Sequence, residues 1–193
     1  MTLRSHSPRL ASLARDHEPP GGGAANRGPY IVRPARSADV RGIQAMLEPY
    51  VERRILLGKD IVLLYESVQQ FLVAEADGAL IGCGALHVMW EDLGEIRTLI
   101  VDDEWLHHGV GKAIVHGLEQ NARALGLSRL FCLTFEVDFF TRRGFSPIGE
   151  QIVDPDVYSQ LLRSPDEGVA EFLDLAHVKP NTLGNTRMLK PLR

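Results

Sequence analysis

A chain of 193 residues, 45% of them hydrophobic, has the length for one domain with a buried core and little beyond it. Its net charge of −4 offers no basic footprint for nucleic acid, and no apolar run approaches the roughly 20 residues of a membrane-spanning helix. The two cysteines, Cys83 and Cys132, lie in apolar runs and read as buried thiols rather than a disulfide or a metal pair, which fits a reducing, cytoplasmic setting.

Residues 1–28 carry Pro19-Pro20-Gly21-Gly22-Gly23 and scattered arginines, with no apolar run long enough for a signal peptide. They are expected to be a disordered extension ahead of one domain at residues 29–193. Tyr30–Ala35 reads as a short strand. Ser37 is placed to cap a helix that carries Val40, Ile43, Met46 and Leu47 at helical spacing to about Val51. A second short helix is expected near Val62–Val68. Phe71–Ala76 and Ala79–Val88 flank Asp77-Gly78, a hairpin turn signal. Glu91-Asp92 turns the chain into a strand, Glu95–Val101. The main helix runs from about Gly109 to Leu125 and is closed by Gly126. Leu130–Phe135 is a strand, Asp138–Arg143 a short helix and Phe145–Gly149 a strand. Asp154–Arg163 reads as helix with Leu161 and Leu162 inward, and Ala170–Leu175 and Asn185–Leu189 as strands. Hairpins followed by a strand–helix–strand unit predict an α/β domain: a mixed sheet with helices on both faces.

The stretch LIVDDEWLHHGVGKA, Leu99–Ala113, joins a buried strand to a glycine-bearing helix start. Such a start presents backbone N–H groups and the positive end of a helix dipole, and so an anion site. It is not a P-loop, because Gly111-Lys112 is followed by Ala113 and not by the hydroxyl that holds magnesium. It is not the Rossmann fingerprint, because Ile114 stands at the third glycine. The segment from Gly94 to Phe145 resembles the GNAT superfamily of acetyl-CoA-dependent N-acetyltransferases. There a strand like Glu95–Val101 precedes a pyrophosphate loop of the form Arg/Gln-x-x-Gly-x-Gly/Ala, matched here by Leu106-His107-His108-Gly109-Val110-Gly111. Both glycines agree, and Leu106 departs from the pattern. Phe139–Phe145 resembles the family's closing helix and "GF" signature, with Phe140 where many relatives have a tyrosine that serves as general acid.

The resemblance implies the GNAT fold, a mostly antiparallel mixed sheet with a splayed strand pair, and acetyl-CoA as co-substrate. It implies no metal. Leu99, Ile100 and Val101 would pair with the pantetheine arm, and His107, His108, Gly109, Val110, Gly111 and Lys112 would surround the pyrophosphate. Glu95 is the candidate general base, against the plainer reading of an exposed strand-end glutamate paired with Arg97. His87 and Cys132 read as core residues.

The runs Ile55–Lys59, Gly82–Leu86, Gly94–Leu99, Leu130–Thr134 and Asn181–Arg187 look like the acetyltransferase domain of bacterial N-acetylglutamate synthases, in the short single-domain form of actinobacteria. That likeness implies acetyl transfer to the α-amine of L-glutamate, the opening step of arginine biosynthesis. Lys59, Arg97, Asn185 and Thr186 are the candidates for holding the amino acid. Gly184-Asn185-Thr186 stands where relatives often show Arg-Asn-Ser, so L-glutamine stays open as an acceptor. Two other readings also stay open: acetylation of another small amine or a protein N-terminus, and a non-catalytic acetyl-CoA-binding module. The expected partners are a small amino acid and a second copy of the chain in a homodimer, with no nucleic acid and no membrane.

Overall fold

Period-two alternation along the strands decides which layer each side chain serves. Phe71, Val73, Cys83, Ala85 and Ile100 face one helical layer, and Leu72, Ala74, Leu86, Ile96 and Leu99 face the other. The computed structural model describes residues 29–52, 60–149, 153–175 and 184–192. In chain order the elements are β1 (Ile31–Pro34), α1 (Val40–Glu52), α2 (Ile61–Glu66), β2 (Phe71–Ala76), β3 (Ala79–Trp90), β4 (Leu93–Val101), α3 (Val110–Ala124), β5 (Arg129–Thr134), α4 (Val137–Thr141), β6 (Ser146–Pro147), α5 (Pro155–Leu161), α6 (Glu167–Phe172) and β7 (Thr186–Pro191). Short 3-10 turns lie at Ser37–Asp39, Val68–Gln70 and Asp103–Trp105. The described strands form one sheet in the order β1-β2-β3-β4-β5-β7-β6, antiparallel at every pair except β4–β5.

α3 buries Val110, Ile114, Val115, Leu118 and Ala122 against one face of the sheet, an apolar stripe at helical spacing. It sits close because β3 runs beneath it with glycine; a Cβ at Gly84 would stand 2.8 Å from the Ile114 side chain. α1 buries Val40, Ile43 and Leu47 on the opposite face. α5 and α6 cover that same face further along, around Met89, Leu93 and Phe131.

The β3–β4 pairing carries a bulge. Arg97 pairs with Ala85 and Ile100 with Cys83, so β4 takes three steps against two in β3. The extra residue is Thr98, buried, with φ at 57°. A β-branched residue in the left-handed region is a strained one. The bulge inverts the alternation, which is why Ile96 and Leu99, three apart, share the α3 core.

The structure corrects several expectations. Ala170–Leu175 is not a strand: α6 occupies Glu167–Phe172. Gly168 to Phe172 are all buried in this short helix, and Asp166 caps it by accepting from Val169 N at 3.2 Å. Ser37 does not cap α1; it lies in the preceding 3-10 turn, where Asp39 Oδ2 accepts from Arg36 N at 2.7 Å. Asp39 is held for that task by Arg33, whose Nη1 lies 2.7 Å from the same oxygen. Leu161 points inward as expected, but Leu162 is 47% exposed. β4 begins at Leu93, so Glu95 stands inside the strand rather than at its head.

Candidate active site

β4 and β5 pair in parallel at Leu93↔Arg129, Gly94↔Leu130 and Glu95↔Phe131, and the ladder ends there. Both strands continue, β4 to Val101 and β5 to Thr134. The far edge of β5 stays paired with β7 as far as Thr134↔Thr186. The two strands therefore part beyond Glu95, and the backbone of Leu99, Ile100 and Val101 borders the opening. This is the splayed pair that the sequence resemblance implies.

At one end of the opening lies the start of α3. Gly109 is its N-cap, with φ at 81°, and no side chain caps the helix. The first helical bond is Ala113 N to Gly109 O, at 3.0 Å. The N–H groups of Val110, Gly111 and Lys112 precede that bond and point out of the helix end. Three outward N–H donors at the positive pole of a 15-residue helix fit an anionic pyrophosphate. Only glycine takes the Gly109 conformation without strain. Gly111 serves a different purpose, since a Cβ there would meet the Phe139 ring at 3.3 Å. His107 is exposed with φ at 67°, and Lys112 is exposed. His108 lies edge-on to Trp105, ring centres 6.0 Å apart. Leu106, the departure from the family pattern, packs against the α3 core.

At the other end stands Glu95, 3% exposed. The plainer reading of an exposed strand-end residue therefore fails, although Arg97 does approach it, Nη1 to Oε2 at 3.7 Å. Glu95 and Arg97 share a face because they are two apart on β4. Arg97 Nη1 also donates to Asp166 Oδ2 at 2.9 Å, and Nη2 to Gln70 Oε1 at 3.2 Å. His87 lies directly across from Glu95 on β3. It is half-buried, with Nε2 3.6 Å from Asp166 Oδ2. It belongs to this cluster rather than to the apolar core that the sequence suggests. Burial raises the Asp166 carboxyl, but the Arg97 hydrogen bond and charge, with His87, outweigh it and hold the group below its usual range.

Asp166 and Glu171 escape the sequence reading, because the segment that holds Glu171 reads as strand. A signal is present in Ser164-Pro165-Asp166-Glu167, which has the composition of a helix start. Cys132 is core, as expected, and burial followed by the charge of Glu95 keeps its thiol protonated. Burial pushes the Cys83 thiol up to about 12. Phe140 is buried between Phe139 and Phe145, each ring centre 5.1 Å away. Thr186 opens β7 opposite Thr134, with Asn185 before it, on the edge of β5 away from β4. Lys59 lies outside the described residues. Among the described residues, no group of three or more His, Cys, Asp or Glu could hold a metal ion, and no helix is long and apolar enough to cross a membrane.

Residues 43–145 match the acetyltransferase (GNAT) family, and the chain belongs to it. Narrower likenesses agree. The amino-acid acetyltransferase of Mycobacterium tuberculosis (strain ATCC 25618 / H37Rv) is 54% identical over 162 residues, 82% of this chain and 92% of that protein. The crystal structure of Rv2747 from Mycobacterium tuberculosis, in complex with CoA and NLQ, superposes with a TM-score of 0.81 at 53% identity, covering 84% of this chain and 99% of that one. N-acetylglutamate synthase from Neisseria gonorrhoeae, complexed with coenzyme A and N-acetyl-glutamate, gives 0.68 at 26% identity over 88% of this chain. The present chain spans 36% of that longer protein.

Proposed function

We propose that this chain transfers the acetyl group of acetyl-CoA to the α-amine of L-glutamate or L-glutamine, by direct attack and without a covalent enzyme intermediate. It is an amino-acid N-acetyltransferase of the N-acetylglutamate synthase type, and the reaction is the opening step of arginine biosynthesis. The observation that carries the mechanism is the end of the β4–β5 ladder at Glu95, which leaves a buried carboxylate at the closed end of a backbone-lined opening.

The order of groups along that opening sets their roles. The N–H groups of Val110, Gly111 and Lys112 hold the pyrophosphate, flanked by His107, His108 and Gly109. The edge of Leu99, Ile100 and Val101 pairs with the pantetheine arm as a neighbouring strand would. Its N–H groups are the donors for the oxyanion that forms when the amine attacks the thioester. Glu95 takes the ammonium proton first, directly or through water, since only the neutral amine is a nucleophile. Lys59, Arg97, Asn185 and Thr186 are assigned to the acceptor's carboxylate and side chain. Arg97 already serves Asp166 and Gln70, so it presents a guanidinium fixed in place rather than a swinging cation. No tyrosine stands at Phe140 to protonate the leaving thiolate, and the amine's own second proton meets that need.

The test is a thiol-release assay with acetyl-CoA and matched concentrations of glutamate and glutamine. Turnover with one or both supports the reading. Turnover with neither, alongside tight acetyl-CoA binding, replaces it with a binding module. A glutamate rate far above the glutamine rate removes glutamine as an acceptor.

A further inference from the structure

Glu171 is the member of the buried cluster that this mechanism leaves unused. α6 lies with Gly168 against Glu95, and a Cβ at Gly168 would stand 2.4 Å from Glu95 Oε2. Glu171 is three residues further along α6, on the same helical face as Gly168, and is 7% exposed. The helix is held in this pose from three sides. Phe172 packs edge-on against Phe131, the residue paired with Glu95, at 5.1 Å. Arg187 of β7 donates to Phe172 O at 2.9 Å and to Gly149 O. Arg97 binds Asp166 in front of the first turn.

The charges around Glu171 do not balance. β4 contributes Glu95 and Arg97, α6 and its cap contribute Glu167 and Asp166, and β3 contributes His87 beside Asp166. β5 contributes Cys132, a thiol kept protonated by burial and by Glu95. β7 contributes Arg187, which is committed to backbone carbonyls. Arg97 Nη1 is shared between Asp166 at 2.9 Å and Glu95 at 3.7 Å, so one cation stands among three carboxyls, and Glu171 cannot cheaply ionise beside a charged Glu95. Burial, and then the charge of Glu95, push the Glu171 carboxyl up to about 7. Two acids whose surroundings separate them in this way divide into a proton carrier and a base.

We infer that Glu171 is a positioning residue that acts through Glu95: the two carboxyls ionise as a pair, Glu171 holding the proton while Glu95 is left charged to face the acceptor's ammonium. The inference rests on the reading of Glu95 as the base. Before reaction the pair holds one proton, on Glu171. The ammonium gives one proton to Glu95 and becomes the amine that attacks the thioester, so the pair then holds two. One returns to solvent as product leaves, and the amine's second proton goes to the departing thiolate.

Carboxyl carbon-13 NMR and pH profiles of kcat/KM test this on the full chain, with folding judged by thermal melting and acetyl-CoA binding. In the wild type, one glutamate should titrate near pH 7, and kcat/KM should show an inflection at the same pH. Glu171→Gln should remove both. Glu95→Gln should move the Glu171 titration to lower pH, because the neighbouring negative charge is gone. That reciprocal variant decides the matter even where Glu171→Gln does not fold. A Glu171 titration unmoved by Glu95→Gln overturns the pairing. So does a wild-type inflection in Glu171→Gln when Glu95→Gln is inactive. Near-normal turnover by Glu95→Gln overturns the base reading itself.

Discussion

At the α3 end of the opening between β4 and β5, the molecule presents backbone: three N–H groups ahead of the first helical bond, with Gly109 turned to φ 81° to expose them. At the Glu95 end it presents side chains, drawn from β3, β4, α6 and the turn before β2, and tied together by Arg97. The first end owes its chemistry to local chain geometry, and the second to tertiary assembly. The two should therefore fail separately. Damage at α3 should weaken the hold on acetyl-CoA, and damage around Glu95 should slow the chemistry with acetyl-CoA still bound.

Gly168→Ala should give the larger loss. Its methyl would stand 2.4 Å from Glu95 Oε2, so either the carboxylate or α6 must move. A displacement near 1 Å costs on the order of 100-fold in rate when it misplaces a reacting group. Steady-state kinetics should show that fall in kcat, with acetyl-CoA affinity by calorimetry within about threefold. A weakened acetyl-CoA Kd with normal kcat would merge the two ends. Gly109→Ala is the complementary break. Forcing an L residue to φ 81° costs about 1–2 kcal/mol, which predicts an acetyl-CoA Kd raised roughly 5- to 30-fold and a kcat at saturation within a few-fold of wild type.

The smallest effect concerns stability. Glu171 binds its proton more tightly folded than unfolded, so the folded state gains from it below the ordinary glutamate value of 4.5 and loses that gain as pH rises to about 7. Thermal melts of the wild type should fall across that window relative to Glu171→Gln, by several degrees at pH 8. Parallel pH curves for the two proteins would show that Glu171 is not held protonated by the fold.

The same contrast explains how much of the molecule is legible in the chain alone. The α3 loop is legible because strand, glycines and helix are contiguous in sequence and the requirement on Gly109 is local. The hairpin around Asp77-Gly78 and the α1 stripe are legible for the same reason. Strand alternation places Glu95 and Arg97 on one face. It cannot place Glu171 and Asp166 beside them, because Ala170 and Phe172, two apart, satisfy a strand pattern as well as a buried turn of helix. The Thr98 bulge is also hidden, since nothing in Arg97-Thr98-Leu99 marks a φ of 57°. His87 is within reach: the hairpin register that pairs β3 with β4 sets it opposite Glu95.

The central claim is that Glu95 takes the acceptor's proton while other groups hold acetyl-CoA. Its most direct test is the kcat of Glu95→Gln at saturating acetyl-CoA and amino acid, measured beside the acetyl-CoA Kd of the same protein. Glu95→Gln should lower kcat by about 100-fold or more with Kd unchanged; a kcat within a few-fold of wild type would mean that another group takes the proton.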